Sequence, residues 1–148
     1  MQMDLFAHKT STMQLYRRLL SAALKEHDLT QMEMDVLLFL ANHPQFDTAR
    51  DLVEVRHLSK SQVSTAVEDL ATRGFLQRRQ KPDNKKLIHL KLLPPAAPAI
   101  RAGQAAQREF FSLLFVGFST REREQLNALL ARVEHNAEDA FHRLEHEH

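Results

Sequence analysis

The polar residues with the clearest chemistry lie at the start of one predicted helix, over residues 59–73. Six of them occupy seven consecutive positions: Ser59, Lys60, Ser61, Gln62, Ser64 and Thr65. Small hydroxyls can bond to phosphate oxygens, a glutamine can pair with adenine, and a lysine can donate to the acceptors of guanine. The pattern is typical of a helix that reads the major groove of DNA. An ordinary helix cap with a solvated polar face is the alternative.

A second polar group follows in a predicted β-hairpin. The alternation over residues 88–92 predicts one strand, and residues 75–80 predict its partner. The turn between them and its flank carry Asp83, Asn84, Lys85 and Lys86. Cations at such a tip can enter the minor groove of DNA, where negative potential is concentrated. The alternative is an edge hairpin that lysines keep soluble.

Positive charge is concentrated in these two segments. Residues 59–91 hold eight Lys and Arg and three Asp and Glu, a net charge of +5 in a chain whose total is +1. A helix–turn–helix followed by a basic hairpin is how many proteins contact DNA, with cations on phosphates. The sequence therefore indicates a double-stranded DNA partner.

Composition excludes several other classes of protein. The chain of 148 residues has no cysteine, which removes disulfides, thiolate nucleophiles and sulfur-bound zinc. Its three glycines are scattered, so neither a Walker loop nor a dinucleotide-binding turn can form. No segment pairs a nucleophile with a base, and none has the length of a membrane span or the pattern of a signal peptide. We therefore expect a cytoplasmic protein that is not an enzyme, has no cofactor and has no membrane partner.

Most of the chain outside the hairpin is predicted to be helical. Apolar residues at three- and four-residue steps indicate amphipathic helices, and Ser or Thr with Glu or Gln three positions later indicates a capping box. Prolines over residues 94–98 mark a connection. The predicted helices cover residues 4–27, 30–42, a short stretch after Thr48, 59–73, about 96–115, and 119 onwards, with capping boxes at Thr30, Ser59 and Ser119.

The order of these residues resembles the MarR/SlyA family of transcriptional regulators. The likeness extends over nearly the whole chain and includes the helical flanks. It rests on these segments in this order: Leu29-Thr30-Gln31, Val36-Leu37, Ser59-Lys60-Ser61-Gln62-Val63-Ser64, Leu70, Arg73-Gly74-Phe75-Leu76, Arg78-Arg79 and Pro82-Asp83-Asn84-Lys85-Lys86.

The resemblance implies a mainly α fold with a small β-hairpin wing, in which a winged helix-turn-helix is joined to N- and C-terminal dimerisation helices. Residues 1–28 and 96–148 would form the helical dimerisation region. Residues 29–95 would form the DNA-binding lobe of a single intertwined domain. In the wing, Asp83 would brace Lys85, which takes the position of the family's wing-tip arginine.

The sequence departs from the family pattern at three places. Lys85 lacks the planar fork of the arginine it replaces and binds as a point charge. Thr65 stands where many members have an arginine in the recognition helix. Leu92-Leu93-Pro94-Pro95 replaces Leu-Thr and a later glycine, which predicts a stiffer connection after the wing.

Apolar stripes at both ends of the chain are consistent with a homodimer. An apolar face on a terminal helix needs a covering surface, and a two-fold dimer supplies one. Packing within a monomer is the alternative. In a dimer the two recognition helices would lie about one DNA turn apart and favour an inverted-repeat operator.

Two further groups of residues are candidates for ligands. The resemblance implies a small-molecule effector bound between the DNA-binding lobe and the dimer helices, where Tyr16, Arg17, Phe110 and Phe111 are candidate lining residues, although core or surface positions are the alternative. The C-terminal helix carries histidines and acids at helical spacing that could gather at a metal; a solvated acidic helix end is the alternative. They are His135, Glu138, Asp139, His142, His146 and His148.

The combined interpretation is a dimeric, sequence-specific DNA-binding transcriptional regulator. On the resemblance it would be a repressor rather than an activator, with DNA binding modulated by a small ligand. Two alternatives stay open. One is a dimeric winged-helix adaptor without operator binding, which the departures at Thr65 and Lys85 allow. The other is a metal-responsive regulator that uses the C-terminal histidines.

Overall fold

The computed structural model describes the backbone of residues 5–147 and the side chains of residues 11–147. Asp4, which opens the predicted first helix, and His148 lie outside this range. The described elements follow in the order α1 (Leu5–Glu26), α2 (Gln31–Asn42), α3 (Ala49–Glu54), α4 (Lys60–Thr72), β1 (Leu76–Lys81), β2 (Asn84–Leu92), a 3-10 turn (Pro94–Ala96), α5 (Ala97–Leu114) and α6 (Thr120–His146). This order confirms the mainly α fold with a small β-hairpin wing.

Two compact units make up the chain, residues 1–110 and residues 111–148, and each is described by itself. The predicted division assigns residues 29–95 to DNA binding and the two flanking segments to dimerisation. Because it refers to a dimer, this division stays a prediction. The first unit holds the helix-turn-helix and the hairpin. The second unit holds the end of α5 and all of α6.

Helix α2 forms the centre of the first unit. Seven of its twelve residues are buried, because the helix is apolar on most sides and packs against α1, α4 and β2. Gly103 of α5 approaches it closely, since a Cβ atom at this glycine would lie 2.8 Å from Met34 Sδ and 2.9 Å from Leu38 Cδ2. Both neighbours are buried, so a larger residue here would overpack the core.

Hydroxyl caps start four of the helices. Thr30, Thr48 and Ser119 each open a full capping box, with Glu33, Asp51 and Glu122 returning the reciprocal bond. Each such cap stabilises its helix by about 1 kcal/mol. The predicted box at Ser59 is wrong in one half: Ser59 Oγ accepts from the Gln62 amide at 3.5 Å, but the Gln62 side chain does not return to Ser59.

Exposed apolar side chains mark the second unit. Helix α6 has no buried residue among those described, and the exposed fractions of its large apolar residues reach 61% at Phe141. The corner before α6 is ordered by ring contacts, with Phe118 edge-on to Phe115 at 5.5 Å and the Arg123 guanidinium 4.8 Å from the same ring. Four exposed apolar residues of α6 lie at helical spacing, with three residues from Leu130 to Val133, eight from Val133 to Phe141 and three from Phe141 to Leu144.

Over the described residues, we find no helix that combines the length and the apolar character needed to cross a bilayer.

Candidate nucleic-acid interface

Helix α4 exposes all of the predicted reading residues near its start. Its buried positions are Val63, Ala66, Val67 and Leu70, which turn inward at helical spacing. The remaining positions of the first two turns are exposed, and they include all six predicted residues: Ser59, Lys60, Ser61, Gln62, Ser64 and Thr65. The structure therefore places the six together at the helix start.

The six residues differ in whether their side-chain polar atoms already form hydrogen bonds within the protein. Ser59 Oγ lies 3.1 Å from Ser61 Oγ, and the Thr65 hydroxyl donates to the Ser61 carbonyl at 3.1 Å. Among the described residues, the side chains of Gln62 and Lys60 have no such partner. Because the capping box is incomplete, the side-chain carboxamide of Gln62 is available to donate to and accept from an external group, such as the edge of a base.

The hairpin pairs in antiparallel register up to an irregularity near its tip. Gln80 lies opposite Ile88 and Lys81 lies opposite Asn84, so residues 85–87 have no partner across the hairpin. Two side chains shape this bulge: Gln80 Nε2 donates to the Lys85 carbonyl at 3.1 Å, and Asn84 Oδ1 accepts from the Lys86 amide at 3.2 Å. A bulge of this kind directs its side chains away from the ladder.

The brace between Asp83 and Lys85 that the resemblance implied is wrong for this conformation. Both side chains are described, and no ion pair within 4.0 Å joins them. The bulge carries Lys85 out of the turn that holds Asp83, and an exposed pair gains at most about 1 kcal/mol against the entropy of ordering two side chains. Gln80 and Asn84, rather than Asp83, shape the wing tip.

A basic groove of about 410 Å³ lies between α3, α4 and the hairpin. Lys60, Ser64 and Lys86, three of the predicted residues, line it together with apolar side chains of α4 and β2. Arg50 and Arg78 add two cations that the sequence interpretation did not include among the site residues. Glu54 is the one acid in this lining, and it lies 4.0 Å from the Arg50 guanidinium. Both predicted halves of the interface thus contribute to one positively charged groove.

The wing is fastened to the segment before α3. The Leu90 amide donates to the Asp47 carbonyl at 2.7 Å, and His89 Nδ1 lies 3.1 Å from Asp47 Oδ1. Thr48, which caps α3, forms a β-bridge with His89. Since α3 also lines the basic groove, this attachment fixes one wall of the groove relative to another.

Two of the candidate effector residues, Tyr16 and Phe110, are in contact. Tyr16 stacks on Phe110 with ring centroids 5.1 Å apart, and its hydroxyl accepts from Gln107 Nε2 at 3.2 Å. Burial raises the pKa of Tyr16, while the bond from Gln107 lowers it. Arg17 is exposed on α1, and Phe111 is an exposed residue of the second unit.

A half-buried carboxylate near Tyr16 was missed by the sequence interpretation. Asp35 accepts from Gln31 Nε2 at 3.0 Å. Burial raises the pKa of Asp35, and the Gln31 bond and the positive charges of Arg56 and Arg17 oppose that effect. The signal in the sequence that could have indicated this site is an acidic residue among the apolar residues of α2.

The C-terminal histidines and acids yield one close pair. His135 Nε2 lies 3.2 Å from Asp139 Oδ2 on the exposed face of α6. Among the side chains of residues 11–147, no group of three His, Asp or Glu residues converges in a way that could hold a metal ion.

These features together define a winged helix-turn-helix protein. The helices α2 to α4, the hairpin and the basic groove between them supply the defining parts. Residues 27–86 match the model of the MarR family. The match confirms the resemblance to this family over the winged helix.

Solved structures share this fold. A protein from Listeria monocytogenes assigned to the MarR family transcriptional regulators, in complex with a 26mer DNA, is similar with a TM-score of 0.82 and 20% identity, covering 95% of this chain and 92% of its own. A transcriptional regulator from Pseudomonas aeruginosa is similar with a TM-score of 0.64 and 25% identity over 88% and 97%. BpsR of Bordetella bronchiseptica, whose DNA binding is regulated by 6-hydroxynicotinic acid, gives 0.69 and 17% over 89% and 99%.

Asp35→Asn is expected to stabilise the protein at neutral pH. Because the folded-state pKa of Asp35 is raised, the native state binds more protons than the unfolded state, and Asp35 lowers stability as the pH rises above its ordinary pKa of 3.8. The melting temperature of Asp35→Asn should exceed that of the wild type at pH 7. The difference should vanish below about pH 3.8, where the carboxyl is protonated in both states.

The control for this experiment is Asp83→Asn, which changes an exposed carboxylate of the wing. Its melting temperature at pH 7 should stay close to that of the wild type, because the substitution changes an exposed side chain outside the core. If Asp35→Asn were equally or less stable at pH 7, the charges of Arg17 and Arg56 would outweigh burial and the account of Asp35 would be wrong.

Proposed function

We propose that this chain is a dimeric, sequence-specific DNA-binding transcriptional regulator that acts as a repressor. The observation that carries the proposal is the basic groove between α4 and the wing, beside which exposed reading residues have unused polar atoms. The fold shared with a protein crystallised on DNA supports the same function.

Within this function, the cations and the reading residues have different roles. Lys60, Lys86, Arg50 and Arg78 would neutralise phosphates, a contribution that is independent of sequence and weakens as salt rises. Gln62 would read a base edge, since its amide offers one donor and one acceptor to adenine. Ser59, Ser61 and Ser64 would donate to phosphates, and Thr65 would do so once its hydroxyl turns away from the Ser61 carbonyl. Asn84 and Lys85 would place the wing tip at the minor groove. Asp83 would remain part of the tip without bracing it.

The exposed apolar stripe of α6 supports the homodimer. Side chains such as Val133, Phe141 and Leu144 are each more than half exposed, which is unusual for a contiguous apolar face in a monomer. A second copy would cover this stripe through a two-fold axis, with residues 1–28 and 96–148 as the dimerisation region and residues 29–95 as the DNA-binding lobe. Two recognition helices related in this way fit an inverted repeat with half-sites about 34–36 Å apart.

Gln62→Ala is expected to relax base preference at one position of each half-site. Loss of a bidentate base contact should cost about 1–3 kcal/mol of discrimination at that position, while phosphate contacts and the salt slope of binding stay unchanged. Fluorescence anisotropy on an operator set with single base changes measures both quantities. Lys86→Ala is the matched control, because loss of a phosphate contact should weaken binding to all sequences and lower the salt slope by about one.

Gln62 is not the reading residue if Gln62→Ala leaves base preference intact.

Val133→Glu is expected to convert the dimer to a monomer. A charge on the apolar stripe would lie at the covered surface, where an unpaired buried charge costs several kcal/mol. Light scattering after size exclusion gives the mass directly. Arg132→Glu, one residue away and exposed, should leave the dimer intact. A monomeric wild type, or a Val133→Glu variant that stays dimeric, would contradict the proposed interface.

Effector control is the finer part of the proposal. The regulation of BpsR by 6-hydroxynicotinic acid supports an aromatic acid as the ligand class. Arg17 would bind its carboxylate and the stack of Tyr16 on Phe110 would open to receive its ring. In a thermal-shift screen, aromatic acids should raise the melting temperature of the wild type and not that of Arg17→Gln. Absence of stabilisation by any of them would leave the regulator without this effector class.

A further inference from the structure

Arg73 joins two helix ends that are far apart in sequence. Its Nη1 donates to the Asp28 carbonyl at 2.6 Å, and its Nη2 donates to the His27 carbonyl at 2.8 Å. The guanidinium carbon lies 4.6 Å from the centroid of the Phe75 ring. One side chain at the end of α4 thus contacts the turn after α1 and the residue that leads into β1.

The end of α1 supplies acceptors for such a donor. Helix α1 ends at Glu26 and is followed by Asp28 in the left-handed region at φ 51°. A helix C-terminus leaves carbonyl groups without helical partners and carries the negative end of the helix dipole, so it favours a cation. A guanidinium bonds to two carbonyls through a rigid planar fork, whereas an ammonium donates from a single atom without that fixed geometry.

The Phe75 contact extends this connection to the wing. The Phe75 amide donates to the Leu70 carbonyl of α4 at 2.9 Å, and the Phe75 carbonyl accepts from the Leu93 amide at the end of the hairpin, also at 2.9 Å. Arg73 therefore lies where α1, the recognition helix and the base of the wing meet. All of these contacts fall within the first unit.

Arg73 is placed too far from the reading residues to share their task. It follows Lys60 by thirteen residues, which is about 20 Å along a helix. Its two terminal nitrogens already donate to backbone carbonyls, and its charge lies over a ring. A change at Arg73 should therefore alter how α4 is oriented rather than remove a contact to DNA.

We propose that Arg73 is a positioning residue for operator recognition, which fixes the angle between α1 and the recognition helix and thereby the preferred spacing of the two half-sites. The inference rests on the proposed function. In a dimer held together through its terminal helices, α1 is the reference against which each recognition helix is set. Without the Arg73 contacts, each recognition helix could still bind DNA, but the two helices would no longer be held at one fixed spacing.

The test is selection from random duplexes by the full-length wild type, Arg73→Gln and Arg73→Lys. The wild type should enrich an inverted repeat with one spacing. Arg73→Gln should enrich the same half-site with a broadened distribution of spacings. Its affinity for the wild-type operator should fall by about tenfold, the equivalent of one lost charge-assisted hydrogen bond, while affinity for unrelated DNA and the salt slope stay unchanged.

Two further variants separate positioning from stability and from charge. Arg73→Lys keeps the charge but loses the planar fork that binds both carbonyls, so its affinity for unrelated DNA should stay unchanged and the wild-type spacing preference should return only in part. Gly103→Ala, which overpacks the contact between α5 and α2, serves as a destabilised control. It should reduce the active fraction without changing the preferred spacing.

Each other result overturns the inference. An unchanged spacing in Arg73→Gln would show that the Arg73 contacts do not fix the spacing. A salt slope lowered by about one would show that Arg73 contacts phosphate. Failure of the wild type to enrich any sequence would instead overturn the proposed function, and the role of Arg73 with it.

Discussion

Burial of α2 is the constraint on which the DNA-binding face depends. Seven of its twelve residues are buried, and the helices and strand packed around it include α4 and β2, which carry the reading residues and the wing. Gly103 lets α5 approach the same helix closely. Packing against α2 holds α4 in place through its buried side. The exposed side of α4 can therefore be almost wholly polar, because it does not have to stabilise the helix.

Around this core, single side chains connect elements that differ in role. Asp47 ties β2 to the segment before α3, and Arg73 ties the end of α4 to the end of α1. Charge-assisted contacts of this kind fix direction as well as distance. The Asp47 contacts hold the wing against the segment before α3, so they fix one wall of the basic groove relative to another. The cations that line the groove supply attraction that any duplex would satisfy.

Local patterns predicted the elements and the position of α4, because periodicity and caps act within a few residues. The brace of Asp83 on Lys85 was wrong because the bulge at residues 85–87 depends on pairing across the hairpin. The box at Ser59 failed because a sequence pattern does not fix where the Gln62 side chain points. Arg50 was missed because the groove that it lines is formed with residues of α4 and the hairpin. The contacts of Arg73 were missed because its acceptors lie more than forty residues away in the sequence.

The central claim is that two copies of this chain read one duplex through α4 and the wing. It is tested most directly by recovering bound sequences from random duplexes at two salt concentrations and determining the stoichiometry on the best of them. The account predicts an inverted repeat bound by two chains, with affinity that falls steeply as salt rises while the preferred sequence stays the same. Binding of equal strength to all duplexes, or no binding at either salt concentration, would contradict it and favour a winged-helix adaptor.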